Sequence, residues 1–454
     1  MIRMIIDISR YILAALILVY SLQSFLVFRK QDEDAREFLF LRQNVVMFCI
    51  HFVAFMVLYL RMAEPMLLFF YGAQVIYLAS TLVFYRNLYP TASKLLVNNM
   101  CMLITIGFIM ITRLSYDESI RQFKILVIGT VLSLLVPILV RKVKILAKGA
   151  WLYAIGGLGL LAAVAVLGRV TGGAKLLLSI GSFSLQPSEF VKISFAMCVA
   201  GMLSRSTKFP NVVLTTIIAA AHVLVLVVST DLGSALIYFA AYLVVLYVAT
   251  RDWRYLAAGG ASGAVAAVGA YAVFSHVKIR VSVWKDPFAD YYGSGYQIAQ
   301  ALFAIGAGGW FGTGLCMGTP GQIPTVEDFM FAAISEELGS FFALCMILIY
   351  MSCFVMFVNV ALKMKESFYR LTALCLGCIF AVQVFLTVGG AMKMIPMTGV
   401  TLPFISPGGS SILSTLIMFA VVQGMYIIKE DEEYDEEKEE AFGRSYGERS
   451  PSLR

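Results

Sequence analysis

The stretch "NVVLTTIIAAAHVLVLVVSTDLGSALIYFAAYLVVLYVAT", residues 211–250, decides the fold. Its two apolar runs, 211–229 and 232–249, are each long enough to cross a hydrocarbon core of about 30 Å as a helix. Only the turn around Asp231 separates them. Neither run alternates apolar and polar residues as a barrel strand must. Backbone in lipid has to satisfy its own hydrogen bonds, so these runs are helices.

The pattern repeats along nearly the whole chain. Of 454 residues, 60% are hydrophobic and 14% charged, with a mean hydropathy of +0.84, against about 25% charged in a globular domain. The length criterion predicts an all-α polytopic membrane protein with about thirteen transmembrane helices. They fall at 11–28, 45–60, 66–84, 97–113, 123–140, 151–168, 189–203, 211–229, 232–249, 255–274, 330–358, 371–390 and 411–428. The N-terminus has no small-residue cleavage site of a signal peptide, so the first run stays as a span. Residues 429–454, "KEDEEYDEEKEEAFGRSYGERSPSLR", are charged and poor in aliphatics and read as a disordered tail.

Lys and Arg concentrate in alternate loops, among them "RKQDEDAREFLFLR", "RKVKILAK", "RDWR" and "LKMKESFYR", which places those loops and the C-terminus in the cytoplasm and the N-terminus outside. The opposite loops are rich in Gly, Pro and polar residues. Irregular backbone at membrane depth is tolerated only where it is buried in protein or lines a wet cavity. The loops at 168–189, 229–231, 275–329 and 391–411 are therefore expected to converge on one outward-facing site.

Charge within or beside membrane helices is costly and marks functional candidates. In "IPTVEDFMFAAISEELG", residues 323–339, Asp328 closes a polar loop just before an apolar helix start. Partial desolvation there raises a carboxylate's pKa and suits it to general-base work. Asp328 and Glu327 also have the spacing of helix caps, and spacing alone leaves both readings open. Glu336 and Glu337, two turns further in, fit a structural bond to a neighbouring segment or the buried charge of a transporter. Asp231 fits an ordinary turn former. The cations on the same side, Lys175, Lys278, Arg280, Lys285 and Lys393, with Lys192 just inside a span, suit an anionic headgroup or diphosphate; each also suits snorkelling.

The eight cysteines sit mostly in apolar runs, and the one CxxC, Cys375 and Cys378, has no second pair to make a metal site. His51, His222 and His276 stand singly, so no metal triad is expected. No GxxxxGK[ST] marks a nucleotide site.

Five segments taken together resemble the SEDS (shape, elongation, division and sporulation) family of FtsW, RodA and SpoVE proteins. They are "GGAKLLLSIGSFSLQPSEFVK" (172–192), "TDLGSAL" (230–236), "GYQIAQALFAIGAGGWFGTGL" (295–315), "DFMFAAISEELG" (328–339) and "PMTGVTLPFISPGGSS" (396–411). The resemblance divides the chain into extra N-terminal helices (1–96), a ten-helix core (97–428) with an extracytoplasmic catalytic loop at 275–329, and the tail (429–454). The extra helices would offer a partner-docking surface.

The resemblance implies a peptidoglycan glycosyltransferase that polymerises lipid II into undecaprenyl-linked glycan for division or elongation. It would act with a class B penicillin-binding protein and other divisome or elongasome proteins, and no nucleic acid. A lipid II flippase, or a scaffold for the penicillin-binding protein, is the alternative. Asp328 matches the family's key aspartate and would be the general base of an inverting displacement. Lys175, Lys192, Arg280 and Lys393 would face the diphosphate, with Glu189, Asp231, Glu327, Glu336, Glu337 and Ser410 in supporting roles. A divalent cation, Mg²⁺ or Mn²⁺, could share the diphosphate charge, although no ligand set requires one.

The chain departs from the family pattern at several points. Lys175 and Leu176 stand where an Arg-containing pair is usual, "TDLG" replaces "PDLG", "SPGGSS" replaces "SYGGSS", and "TVED" puts Glu327 beside the aspartate. A neighbouring carboxylate should raise the coupled pKa. Thr401 in "TGVTLPFIS" leans towards the division branch.

Overall fold

The computed structural model describes residues 2–142, 144–171, 174–180 and 183–447. Three helices, α1 (Ile2–Leu26), α2 (Glu33–Met62) and α3 (Met66–Leu88), precede α4 (Lys94–Leu114). Then come α5 (Tyr116–Ser133), α6 (Val136–Lys142) and α7 (Ala150–Leu167). An antiparallel three-stranded sheet follows, β1 (Arg169–Thr171), β2 (Ala174–Ile180) and β3 (Phe183–Leu185), in the order β1-β2-β3. Helices α8 (Pro187–Arg205), α9 (Phe209–Val228), α10 (Leu232–Thr250) and α11 (Trp253–Val273) lead into the long loop. That loop holds the short helices α12 (Ser275–Lys285), α13 (Tyr296–Gly308) and α14 (Met330–Glu337); α15 (Ser340–Lys363), α16 (Ser367–Ala391) and α17 (Gly409–Gly447) complete the fold.

Among the described residues, twelve helices are long and apolar enough to cross a membrane, not thirteen. The segment missing from that set is α8, which carries Glu189, Lys192 and Arg205. It packs against α7, α10 and α16 and is buried along most of its length. A helix enclosed by others need not present lipid with an apolar surface; Glu189 and Lys192 face the bundle interior, and Arg205, at the helix end, is exposed. The run expected as one span at 330–358 is broken in two at Leu338 and Gly339. Gly339 has φ +95°, and a Cβ there would lie 2.4 Å from the Trp310 carbonyl oxygen. The backbone of the preceding loop fills the place a continuous helix would need.

Of the segment expected to be a disordered tail, α17 takes in residues 429–447, and residues 448–454 lie outside the described residues. Lys429 pairs with Glu433 one turn on (2.9 Å), and Arg141 holds Asp431 at 2.8 Å. Pairs spaced i, i+4 support a helix that composition alone would leave unfolded.

At the centre lies α4, buried on every side from Leu95 to Thr112. A helix that is apolar all round belongs in the middle of a bundle. Its polar exceptions bind it to the N-terminal helices. Asn99 Nδ2 donates to Ser352 Oγ of α15 at 3.1 Å, while its Oδ1 accepts from Tyr20 and Ser24 of α1 at 3.3 and 3.2 Å. Gln43 of α2 donates to Ser24 at 3.1 Å and accepts from Asn98 at 3.0 Å. Inside a bilayer such polar groups find few other partners. The network therefore fixes α1 and α2 onto α4 and α15.

Candidate active site

Hydrogen bonds draw the four irregular loops together at one end of the bundle. The Gln186 amide donates to Ser410 Oγ at 2.9 Å, joining the end of the β-sheet segment to the start of α17. Ser188 Oγ donates to Asp231 Oδ2 at 3.0 Å, and Asp231 Oδ1 caps α10 by accepting from the Ser234 amide at 3.1 Å. The turn aspartate thus caps α10, and its second oxygen ties down α8. Arg280 Nη1 donates to the carbonyls of Met397 and Thr398, both at 3.0 Å, and Trp284 Nε1 donates to the Lys393 carbonyl at 3.2 Å. Ser406 Oγ donates to the Glu327 carbonyl at 2.7 Å and accepts from the Leu402 amide at 3.1 Å.

That last pair of bonds hangs the backbone beside Asp328 on the 397–411 loop, which is itself wedged among helices. A Cβ on Gly107 of α4 would lie 2.5 Å from the Phe404 carbonyl, and one on Gly233 of α10 would lie 2.5 Å from the Val400 side chain. Only glycine lets these helices approach so closely.

Asp328 is half-buried at the end of the long loop, where its amide donates to the Thr325 carbonyl at 2.9 Å. The N-cap position of α14 is Phe329, which makes no side-chain cap bond, so neither Asp328 nor Glu327 occupies the cap position itself. Burial first and Glu327 second raise the pKa of Asp328, with Arg280 opposing, to about 6. Gly399 lies beside both groups: with φ +72°, a Cβ there would lie 3.9 Å from both Arg280 Nη2 and Asp328 Oδ2. A bare backbone leaves open space against a carboxylate and a guanidinium at once. Burial lowers the pKa of Arg280, opposed by Asp328 first and then Asp231.

The other expected residues divide. Glu327 is exposed and Lys393 half-buried, and Lys393 adopts φ +59°. Lys192 is not free at the surface. Its Nζ donates to Glu189 Oε2 at 2.6 Å and to Gln383 Oε1 at 3.0 Å, while Ser414 donates to the same Glu189 oxygen at 2.9 Å. Gln383 in turn donates to the Thr401 carbonyl at 3.1 Å, so this buried pair supports the 397–411 loop from beneath. Lys175 belongs to β2; its side chain lies outside the described residues. Lys278 and Lys285 are exposed.

Glu336 and Glu337 close the 309–319 loop over the far end of α14. Glu336 Oε1 accepts from the Thr319 amide at 2.8 Å. Glu337 is fully buried, with Oε1 3.0 Å from Arg113 Nε and Nη2 and Oε2 accepting from the Cys316 amide at 3.1 Å. Among the described residues, no group of three or more His, Cys, Asp or Glu is gathered to hold a metal ion.

Reading by charge alone passed over Ser188, Gly399 and Ser406. All three stand in the quoted loop motifs, but neutral residues carry no charge signal, and their role exists only through the approach of distant loops.

The profile of the FtsW/RodA/SpoVE family, described as cell cycle proteins, matches residues 93–430. The peptidoglycan glycosyltransferase RodA of Mycobacterium tuberculosis (strain ATCC 25618 / H37Rv) is 33% identical over 367 residues, covering 74% of this chain and 78% of that protein. A probable peptidoglycan glycosyltransferase FtsW of Aliivibrio salmonicida (strain LFI1238) is 35% identical over 271 residues, covering 56% of this chain and 66% of that protein. The fold matches a chain from a structure described as "Structural coordination of polymerization and crosslinking by a peptidoglycan synthase complex", with TM-score 0.65, 24% identity and coverage of 74% and 98%.

Proposed function

The chain belongs to the FtsW/RodA/SpoVE family, and from that premise we propose that it is a peptidoglycan glycosyltransferase that polymerises lipid II, with Asp328 as general base. The observation that carries this reading is a half-buried carboxylate, Asp328, that shares the Gly399 turn with the Arg280 guanidinium and whose pKa burial raises to about 6. A base poised just below neutral pH is largely ionised at pH 7 and can still accept a proton in the transition state.

Asp328 takes the proton from the acceptor sugar hydroxyl as that oxygen bonds to the donor's anomeric carbon. The bond from that carbon to the lipid diphosphate breaks, the diphosphate leaves with the electron pair, and the configuration inverts. The departing group is already a stable anion, so no second carboxylate is needed as general acid. Its developing charge calls for cations; Arg280, which bonds the Met397 and Thr398 carbonyls, and Lys393, at the start of the same loop, are the candidates. Lys175 remains a candidate from its sequence position. The paired Lys192 acts through the 397–411 loop.

The positive-inside pattern puts this end of the bundle outside the cytoplasm and the C-terminus within it. The geometry agrees with that pattern in one respect: the start of α1 lies at the same end as the Asp328 loop, since Arg10 reaches Gly312. On this reading the enzyme serves wall synthesis in division or elongation and works beside a class B penicillin-binding protein that crosslinks its product. The domain limits 1–96, 97–428 and 429–454 follow the same reading.

The test is polymerisation of lipid II by the purified full chain with such a partner, with products resolved by length. Glycan strands support the reading. Movement of lipid II across a vesicle bilayer without polymer would overturn it in favour of transport. Within this assay, Glu327→Gln removes the charge that raises the Asp328 pKa. The acid limb of the rate should move to lower pH, by less than about one unit because burial is the larger cause. A limb that stays in place would show that Glu327 does not tune the base.

A further inference from the structure

The family profile begins at residue 93, yet α1 touches the segment that carries the site. Arg10 Nη1 donates to the Gly312 carbonyl at 3.1 Å. Its Nη2 donates to Tyr11 Oη at 3.0 Å, and the Tyr11 ring meets Phe311 at 5.3 Å between centroids. One turn earlier, Ile6 is buried, and its side chain would lie 2.9 Å from a Cβ placed on Gly314. A single face of α1, residues 6, 10 and 11, thus holds residues 311–314.

Those loop residues grip the far end of α14. The Thr313 amide and hydroxyl donate to the Glu336 carbonyl at 2.8 and 3.0 Å, and the Gly314 amide donates to the Glu337 carbonyl at 3.0 Å. Gly312 has φ +75°, and a Cβ there would lie 2.2 Å from the Glu337 carbonyl oxygen. The loop backbone therefore satisfies the last carbonyls of a helix that would otherwise end unpaired. With eight residues, α14 is only about 12 Å long, and Asp328 sits immediately before its first turn. Movement of one end is felt at the other.

We propose that Arg10 is a positioning residue: by clamping the Gly312 carbonyl, α1 sets the axial placement of α14 and hence of Asp328 relative to Arg280 and Gly399. The N-terminal helices are on this account a built-in brace for the reaction centre. A guanidinium near the membrane end of a helix is well suited to this, because its best available partner is a backbone carbonyl.

The inference rests on Asp328 being the base, so its test has a readout that does not. In the full chain, Arg10→Met keeps the apolar stem and removes the donor. Hydrogen exchange in peptides covering 309–319 should rise about tenfold, as expected for loss of a charge-assisted bond. Polymerisation kcat should fall about tenfold with KM for lipid II unchanged, and the acid limb of the rate should move as Asp328 shifts against its neighbours. Arg10→Lys, which restores a charged donor, should recover most of both effects. Where the Met variant yields no folded protein, Arg10→Gln carries the same measurements. Wild-type exchange at 309–319 in the variant overturns the brace whatever the activity. Raised exchange with unchanged kcat overturns the positioning role. A wild-type chain that makes no polymer would sink the proposed function, while exchange still judges the brace.

Discussion

Asp328→Asn is expected to lower glycan polymerisation by about 10²- to 10⁴-fold, the usual range for removal of a general base, while the protein folds and binds its partner normally. Asparagine has the shape of the carboxylic acid but cannot accept the proton. Fold loss is not expected, because the local turn is held by backbone, through the Thr325 carbonyl and the Ser406–Glu327 bond. The pH profile sharpens the test. With a pKa of about 6, Asp328 is ionised above that pH and protonated below it, so the wild-type rate should fall as pH drops through about 6. Residual activity of the asparagine variant should lack that limb. Polymerisation at the wild-type rate would end the assignment of Asp328 as base.

Lys192→Met should produce the largest loss of stability, about 3–5 kcal/mol, because it strips the partner from a buried carboxylate. Lys192 and Glu189 have side chains only 3% and 10% exposed, so solvent screening does little for the charge left behind. Ser414 remains as a donor to Glu189, but one hydroxyl does not replace an ammonium. Adding Glu189→Gln should recover most of the loss, since replacing both partners of a buried pair is often close to neutral. Unfolding of the detergent-solubilised protein measures both variants. The alternative role predicts a different pattern: were Lys192 a diphosphate ligand, the single variant would raise KM for lipid II and leave unfolding unchanged.

The same lysine shows how the loop motifs were partly legible. In "QPSEFVK" its spacing from Glu189 is i, i+3, which permits an ion pair on one helix face, yet the outward loops nearby favoured a ligand role. The packing of α16 decided the matter by bringing Gln383 to the other side of the ammonium. Glu336 and Glu337 are a similar case. Apolar surroundings marked them as buried charges, but their partners, Arg113 and the 309–319 backbone, come from α4 and from a loop that folds back over α14. No local spacing contains that information.

Hydropathy alone determined that this chain is a bundle of membrane helices, because the bilayer demands long apolar runs and tolerates no open backbone. It also made Asp328 a candidate, although spacing left capping and catalysis open and the family resemblance was needed to single it out. Tertiary structure alone decided four further things. It broke 330–358 at Gly339, where the Trp310 carbonyl occupies the space of a side chain. It enclosed the less apolar α8 among neighbours, which relieved that helix of facing lipid. It set Asp328 and Arg280 beside the bare backbone of Gly399, and laid α1, from outside the family's core, against the loop that holds α14. These outcomes depend on contacts between residues tens to hundreds of positions apart, and on steric fit at backbone atoms that every residue shares, so composition and periodicity could not register them.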